Sequence, residues 1–405
     1  MVSGAGIVAK KEKSKIPNNP ALITGDVITW ARERLGRSHQ QIADEIGTGI
    51  TADDIAQWES ERARPDFRKA QKLAVALHIP FGYLFLSRRP KNDIKVPDLR
   101  TVGSKPITEF TPNLLDQLRN LLLKQEWYRD YAIEEGRKPL TFVGRFNVNS
   151  SYEKVAADIG AELGISSRFR AVASNWEGFL TNFMANAEAA GILVIRSGVV
   201  ASASQRPLSV KEFRGFVLSD PVAPLVFING ADSTSAQVFT IAHELAHLWI
   251  GKSGISNPNP KKRSTDEANT IERFCNQAAA ELLVPRAEFL RRWKDNDSVE
   301  NNVKTLVRYF RVSIHVILRQ AFEQDKISRQ EYEERIQAEE DRFRAQQQER
   351  EGGGNFYRTM RVRNSRILVS SILEAIQTSK IGLRDAATLL GCKVPTLKNV
   401  ASELS

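Results

Sequence analysis

The feature that most constrains this chain is the pentapeptide His243-Glu244-Leu245-Ala246-His247. In a helix, residues four positions apart project from the same face, so both imidazoles can reach one metal ion. Glu244 lies beside that face, where its carboxylate can reach a metal-bound water without binding the metal. Apolar neighbours give the same helix a buried side: Val238, Phe239, Ala242, Leu245 and Trp249. The segment therefore predicts a buried helix that carries a metal site.

Two histidines one turn apart also occur as unrelated surface or core residues. Enclosure argues against that alternative, because buried imidazoles are costly without a metal or hydrogen bonds. A catalytic zinc takes three protein ligands and a water, so one more ligand is needed. The next predicted helix, about 265–283, offers four carboxylates: Asp266, Glu267, Glu272 and Glu281.

Glu272 is the preferred third ligand. It shares a helical face with Asn276, Ala279 and Leu283. The run Ala278-Ala279-Ala280 removes the bulk that would hold two helices apart. The alternative is an exposed glutamate paired with Arg273 or Lys262. A structural zinc completed by Cys275 is disfavoured, because that residue lies about 300° round the helix from Glu272.

These groups predict hydrolysis of a peptide bond. Zinc would lower the pKa of its bound water to about 7, and Glu244 would carry the proton from that water to the leaving amine. The predicted strand 225–228 could hold an extended peptide by edge pairing, or could be an interior strand of the sheet. No oxyanion-stabilising residue is assigned. The other histidines are interpreted as structural or surface residues: His39, His78 and His315.

Length and charge suggest several domains and an acidic partner. A chain of 405 residues is expected to form two or three domains. The net charge of +10 favours nucleic acid as a partner, although many mildly basic proteins bind none. Only Cys275 and Cys392 are present, which fits a reducing cytoplasm. Because no secretory signal or membrane span is recognised, the protein is expected to be soluble and cytoplasmic.

Residues 26–86 predict short helices joined by a glycine-containing turn. Ser38 with Gln41 forms a capping box, Thr51 caps the next helix, and Pro65 suits the first turn of another. The recognition helix of such a helix-turn-helix would be about 51–61. Gln57 is the candidate for reading bases, and other residues are candidates for the phosphate backbone: Gln40, Gln41, Arg62, Arg64 and Arg68. This helix also carries four acidic residues that would repel phosphate: Asp53, Asp54, Glu59 and Glu61. Dimerisation or partner docking is therefore the alternative function of the domain.

The remaining sequence sets the order of domains. Strands are predicted at 191–195, 215–218 and 223–228. The helix that carries the histidines is predicted to begin at a capping box formed by Thr234 and Gln237 and to end at Gly251. The proposed scheme is a flexible arm (1–20), a helix-turn-helix domain (21–90), a linker and helical segment (91–150), the metal domain (151–325), a charged helical spacer (326–354) and a small helical C-terminal domain (355–405). The last part has the pattern of a second helix-turn-helix or of a docking platform.

Two spaced motifs resemble the ImmA/IrrE metallopeptidases. They are Phe239-Thr-Ile-Ala-His-Glu-Leu-Ala-His-Leu248 and Glu272-Arg-Phe-Cys-Asn-Gln-Ala-Ala-Ala-Glu-Leu-Leu-Val-Pro285. The resemblance covers roughly 150–325 and implies that His243, His247 and Glu272 bind Zn²⁺ in a gluzincin-like set, with Glu244 catalytic. Cys275 stands where the family usually has Ala. The expected fold is α+β and predominantly helical, with a zincin-like central domain that contains a small, mostly antiparallel sheet.

Residues 26–86 resemble the Xre (Cro/C1-type) helix-turn-helix, in Trp30, Ser38-His-Gln-Gln-Ile-Ala43, Trp58-Glu59 and Pro65. Members with this fusion cleave or help remove a repressor in stress-response or mobile-element control, and others belong to toxin–antitoxin-like pairs. The resemblance therefore implies a protein substrate, DNA as a partner, and in some members a toxin partner; a homodimer is a further expectation. The alternative is a non-enzymatic regulator or antitoxin whose peptidase-like domain only binds a partner.

Overall fold

The computed structural model describes residues 20–90, 110–173, 175–256, 267–346 and 363–397. Apart from Pro20, the predicted arm lies outside the described residues, as do the linker up to residue 109 and the Gly-rich break at 352–354. The chain divides into two compact units, Met1–Ile94 and Lys95–Ser405. In the described part of the chain, no helix has both the length and the apolar character needed to cross a bilayer.

The first unit consists of short helices that begin at the capping residues of the sequence. They are α1 (Gly25–Arg34), α2 (His39–Ile46), α3 (Ala52–Glu59) and α4 (Phe67–Ala76), followed by a 3-10 helix at Phe81–Phe85. The predicted caps at Ser38 and Thr51 are confirmed, since each forms a complete capping box. Pro65 does not start α4, because the Asp66 carboxylate accepts the Lys69 amide N–H at 2.8 Å and makes Asp66 the cap.

The second unit surrounds a small sheet with helices. Its first helices are α5 (Pro112–Glu134), α6 (Tyr152–Glu162), α7 (Ser167–Val172), α8 (Trp176–Ala189) and α9 (Thr234–Trp249). The later ones are α10 (Glu267–Leu283), α11 (Arg286–Arg292), α12 (Val299–Phe310), α13 (Ile314–Glu323), α14 (Arg329–Gln346), α15 (Arg366–Gln377) and α16 (Leu383–Leu390).

Within the described residues the main sheet has the order β1-β5-β4-β6. Its strands are β1 (Leu193–Ser197), β4 (Gly215–Leu218), β5 (Leu225–Asn229) and β6 (Gly254–Ser256), while β2 (Val199–Val200) and β3 (Ala203–Pro207) form a separate antiparallel pair. The β5–β4 and β4–β6 pairs are antiparallel, and β1 pairs with β5 in parallel. The sheet is thus mixed, and mostly antiparallel as expected.

The position of β5 corrects one expectation. β5 lies between β1 and β4 and is buried along its whole length, so residues 225–228 cannot hold a peptide by edge pairing. Both of its backbone edges already pair with neighbouring strands. The interior-strand alternative is therefore the correct one for this segment.

Alternating residues of the sheet face two different hydrophobic cores. One face packs with α8, α9 and α10 through Val194, Val217, Val226 and Ile228. The opposite face packs against α5, α15 and α16 through Leu193, Ile195, Phe216, Leu218, Leu225 and Phe227. Residues 363–397 therefore complete a core with the sheet, even though the sequence-based scheme places a boundary at residue 355.

Candidate metal centre

Helix α9, which carries the two histidines, is held at both ends by hydrogen bonds. Its N-cap is Ser233, whose hydroxyl accepts the Ala236 amide N–H at 3.3 Å. The predicted box at Thr234 and Gln237 is therefore wrong by one residue, since the Gln237 amide donates to the Asp232 carbonyl at 2.6 Å. Gly251, at φ +66, follows the end of the helix as predicted.

The last carbonyls of α9 are satisfied by a segment distant in sequence. The amides of Gly144 and Phe146 donate to the carbonyls of Leu248 and Trp249, each at 3.0 Å. Glycine suits position 251, because a Cβ there would lie only 3.0 Å from the Gly144 Cα atom, and both glycines have positive φ angles, +66 and +68. The helix that carries the motif is thereby held against the core at its carboxyl end.

Three side chains converge from α9 and α10. The Nε2 atoms of His243 and His247 lie 3.1 Å apart. The Glu272 carboxylate lies 3.2 Å from the His243 Nε2 atom and 3.1 Å from that of His247. Tetrahedral zinc with ligands at about 2.0–2.1 Å holds them roughly 3.3–3.4 Å apart. The two imidazole nitrogens and the Glu272 carboxylate, whose Oε2 faces His243 and whose Oε1 faces His247, therefore lie close to the separation that a shared zinc ion requires.

The small residues of α10 allow this convergence. Cys275, Ala278 and Ala279 are fully buried, so α10 packs closely enough for Glu272 to reach the histidines. The alternative carboxylate, Glu281, instead accepts the backbone N–H of Arg286 at 3.1 Å. Asp266 lies outside the described residues, as does the side chain of Glu267.

The local electrostatics favour the protonation states that bind a metal. Burial disfavours ionised Glu272, but the two imidazoles outweigh burial and hold the pKa of its carboxyl well below the usual range. Burial lowers the pKa of His243, although Glu272 acts in the opposite direction. Burial also raises the pKa of the Cys275 thiol well above its usual range, with Glu272 and Glu244 adding to the effect. These directions favour an ionised carboxylate at Glu272 and a protonated, unreactive thiol at Cys275.

The metal-binding potential of these residues agrees with the family comparison. In the described part of the chain, the group of ionisable side chains that could hold a metal is His243, His247 and Glu272. Residues 187–322 match the family model described as the IrrE N-terminal-like domain, a peptidase family. Residues 28–84 match the model described as helix-turn-helix. The chain joins an Xre-type helix-turn-helix domain to an IrrE/ImmA-like domain. No curated protein matches the chain.

Within the IrrE-like domain, Glu244 is fully buried and lies against the backbone of Gly215 in β4. Phe239 lies one turn before His243, with its ring centroid 6.4 Å from that imidazole, and is only partly buried. Sequence reasoning identified Glu244 from the motif but assigned no role to Gly215, Gly144 or Phe146. The glycines were visible in the sequence, but their partners are distant in the chain and no local signal pairs them.

The helix-turn-helix domain presents its predicted DNA-binding side chains on the surface. All three predicted glutamines form hydrogen bonds within the domain. Gln41 accepts the Ser38 amide N–H at 2.9 Å, Gln40 donates to Asp44 at 2.8 Å, and Gln57 donates to Asp53 at 2.7 Å. Arg62 donates to the Ser60 hydroxyl at 2.9 Å, and Arg64 is exposed. The bond to Asp53 uses one N–H of the Gln57 amide, which has a second N–H and an oxygen as further hydrogen-bonding groups.

Two of the acidic residues expected to repel phosphate are engaged inside the domain. Glu59 accepts two hydrogen bonds from Arg32, at 2.6 and 3.1 Å, and contacts the His39 ring nitrogen at 3.0 Å. Glu61 accepts the backbone N–H of Gly25 at 2.9 Å. His78 similarly lies 3.6 Å from Glu45, while His315 lies half-buried on α13. On α3 itself, Asp53 is exposed and Asp54 is half-buried in its capping box with Thr51, so the helix presents less acidity to solvent than its sequence suggests.

Proposed function

We propose that the chain is a zinc-dependent endopeptidase coupled to DNA through its helix-turn-helix domain. His243, His247 and Glu272 hold the metal, and Glu244 is the general base. When bound, zinc acts as a Lewis acid and makes a water molecule acidic near neutral pH. Glu244 takes the proton of the attacking water and delivers it to the leaving amine. The observation that carries the proposal is the convergence of two imidazole Nε2 atoms and the Glu272 carboxylate, with contacts of 3.1–3.2 Å, next to Glu244 in the chain.

The approach of the substrate is proposed along β6 instead of β5. Within the described residues β6 is an outer strand of the sheet, and its Ser256 pairs with Gly215, which touches Glu244. An extended peptide that adds to an outer strand gains backbone hydrogen bonds whatever its sequence. Beside His243, the partly buried Phe239 ring offers an apolar contact for a substrate side chain.

The proposed substrate is a transcriptional repressor or another regulatory protein. The helix-turn-helix domain supports DNA binding, and a cytoplasmic site of action is proposed with it. Gln57 is proposed to read bases, with Gln40, Gln41, Arg62 and Arg64 on the backbone. A toxin partner in a toxin–antitoxin system and a homodimer remain further hypotheses.

The decisive test compares wild type with Glu244→Gln. Candidate repressors are incubated with each protein, and zinc content is measured in parallel. We expect the variant to keep its zinc and to lose cleavage by about 10³-fold or more, since general acid–base catalysis contributes about 10²–10⁴-fold. If wild-type protein binds zinc and shifts promoter DNA but cleaves no candidate, the non-enzymatic regulator replaces the peptidase proposal.

A further inference from the structure

Gly215 lies beneath the side chain of the proposed general base. A Cβ atom at this position would lie 2.9 Å from the Glu244 Oε1 atom and 2.9 Å from the Phe227 carbonyl oxygen. It would also overlap the Thr240 methyl group. Real Cβ atoms essentially never approach other heavy atoms within 3.0 Å. The φ angle of Gly215 is outside the left-handed region, so the residue is required for space and not for backbone conformation.

The backbone of Gly215 is held in place by strand pairing on both sides. Gly215 pairs with Ile228 of β5 on one side and with Ser256 of β6 on the other. Thr240 lies one turn before Glu244 on α9, and both side chains are buried against this strand. The carboxylate is therefore confined between the helix and a strand that is paired along both edges.

We propose that the bare backbone of Gly215 sets the position of the Glu244 carboxylate, which makes Gly215 a positioning residue for the hydrolysis. The inference rests on the proposed function, because it assigns a role in that reaction. A general base must lie within hydrogen-bond reach of the proton it takes, and a displacement of about 1 Å costs about 100-fold in rate. A methyl group added at residue 215 would lie about 0.5 Å too close to the Glu244 carboxylate for an ordinary contact, so the carboxylate would have to move by about half of that 1 Å.

The contact itself is tested in metal-free protein, without reference to activity. Thermal unfolding is measured in EDTA for wild type, Gly215→Ala, Glu244→Ala and the double variant. If the added methyl group clashes with the Glu244 carboxylate, removing that carboxylate relieves the clash. We therefore expect the double variant to unfold about 2–4 °C above the value that additivity gives. Additive effects within error would overturn the contact.

The positioning role is tested by kinetics on a substrate that wild type cleaves. Gly215→Ala should lower kcat about tenfold, while KM stays within about twofold and zinc affinity within about threefold. Thr240→Ser in the same chain removes the overlapping methyl and should recover most of the lost kcat. Gly160→Ala is the matched control, since its Cβ would meet only ordinary contacts at 3.5 and 3.6 Å.

A second pair of variants covers the case in which Gly215→Ala does not fold. Thr240→Ala removes the methyl that lies beside Gly215 and leaves space into which the Glu244 carboxylate can shift, so kcat should fall about tenfold. Thr240→Val keeps a methyl group there and should stay within about twofold. Equal effects of the two variants would overturn the inference. So would an unchanged kcat in Gly215→Ala, in which case the proposed peptidase function still stands. Absence of cleavage by wild type overturns both proposals.

Discussion

At the scale of single residues, Glu272 provides the negative charge that two buried imidazoles share. Its carboxylate contacts both rings, although a fifth of the side chain remains exposed. A carboxylate in this place compensates the charge of a divalent cation, which a neutral amide of the same shape cannot do. The proposed ligand set therefore depends on the charge of residue 272 as well as on its shape.

Glu272→Gln should consequently lower zinc affinity by more than about 100-fold with little change in the fold. Competition with a chromophoric chelator measures the affinity, and circular dichroism checks the fold. Glu281→Gln is the matched control, because Glu281 lies on the same helix but accepts the Arg286 amide N–H. Equal zinc affinity in the two variants would exclude Glu272 as a ligand.

The motif residues were predictable because their spacing is local. His243 and His247 lie on one helical turn, and Glu272 was selected from the small residues that follow it on its own helix. Gly215 was not predictable, since its importance arises from a contact between β4 and α9 that depends on the folded sheet. The Arg32–Glu59 pair was likewise hidden, because 27 positions separate the two residues.

At the scale of secondary-structure elements, a buried lysine lies where the C-terminal helices pack on α5. Lys124 is 3% exposed, and its ammonium group donates to the Asn364 side chain at 2.7 Å. Burial lowers the pKa of Lys124 to about 8. The unfolded chain therefore binds more protons than the folded one between about pH 8 and pH 10.4. Stability should rise with pH across that window, whereas below it the buried ammonium group lowers stability by a constant amount.

Lys124→Met should remove this pH dependence. At pH 7 the variant no longer buries an ammonium group, a gain of up to about 3 kcal/mol, against the loss of one hydrogen bond worth about 1 kcal/mol. We expect a free energy of unfolding about 1–2 kcal/mol above wild type, by urea titration at pH 7. The difference should shrink at pH 9.5. Lys154→Met, at an exposed position, is the control, and a pH response equal to that of Lys124→Met would refute the prediction.

The elements themselves were predicted unevenly. The caps Ser38 and Thr51 mark helix starts correctly, because a cap depends on three or four consecutive residues. β6 has three residues and β2 has two, too few to show an alternating pattern, and neither was predicted. The order of strands that places β5 in the interior depends on long-range pairing, so its local sequence left both alternatives open.

At the scale of the whole molecule, the positive charge is not concentrated on the described helix-turn-helix domain. Residues 20–90 contain ten Lys or Arg and nine Asp or Glu, whereas the chain as a whole carries +10. Non-specific affinity for DNA depends on the number of phosphates that basic side chains neutralise. Residues 20–90 alone should therefore bind DNA weakly, and each arginine that contacts phosphate should matter.

Arg62→Ala with Arg64→Ala should reduce affinity for all DNA sequences by a similar factor. The slope of log affinity against log salt should fall by about 2, because each lost phosphate contact removes about one unit. Gln57→Ala should behave differently and weaken only the preferred sequence, by about 1–3 kcal/mol, since a base contact carries the sequence preference. Fluorescence anisotropy between 50 and 200 mM salt measures both quantities. Glu244→Gln is the control that leaves this domain intact. If the double arginine variant keeps the wild-type slope, the domain does not contact DNA through these residues, and partner docking becomes its better-supported role.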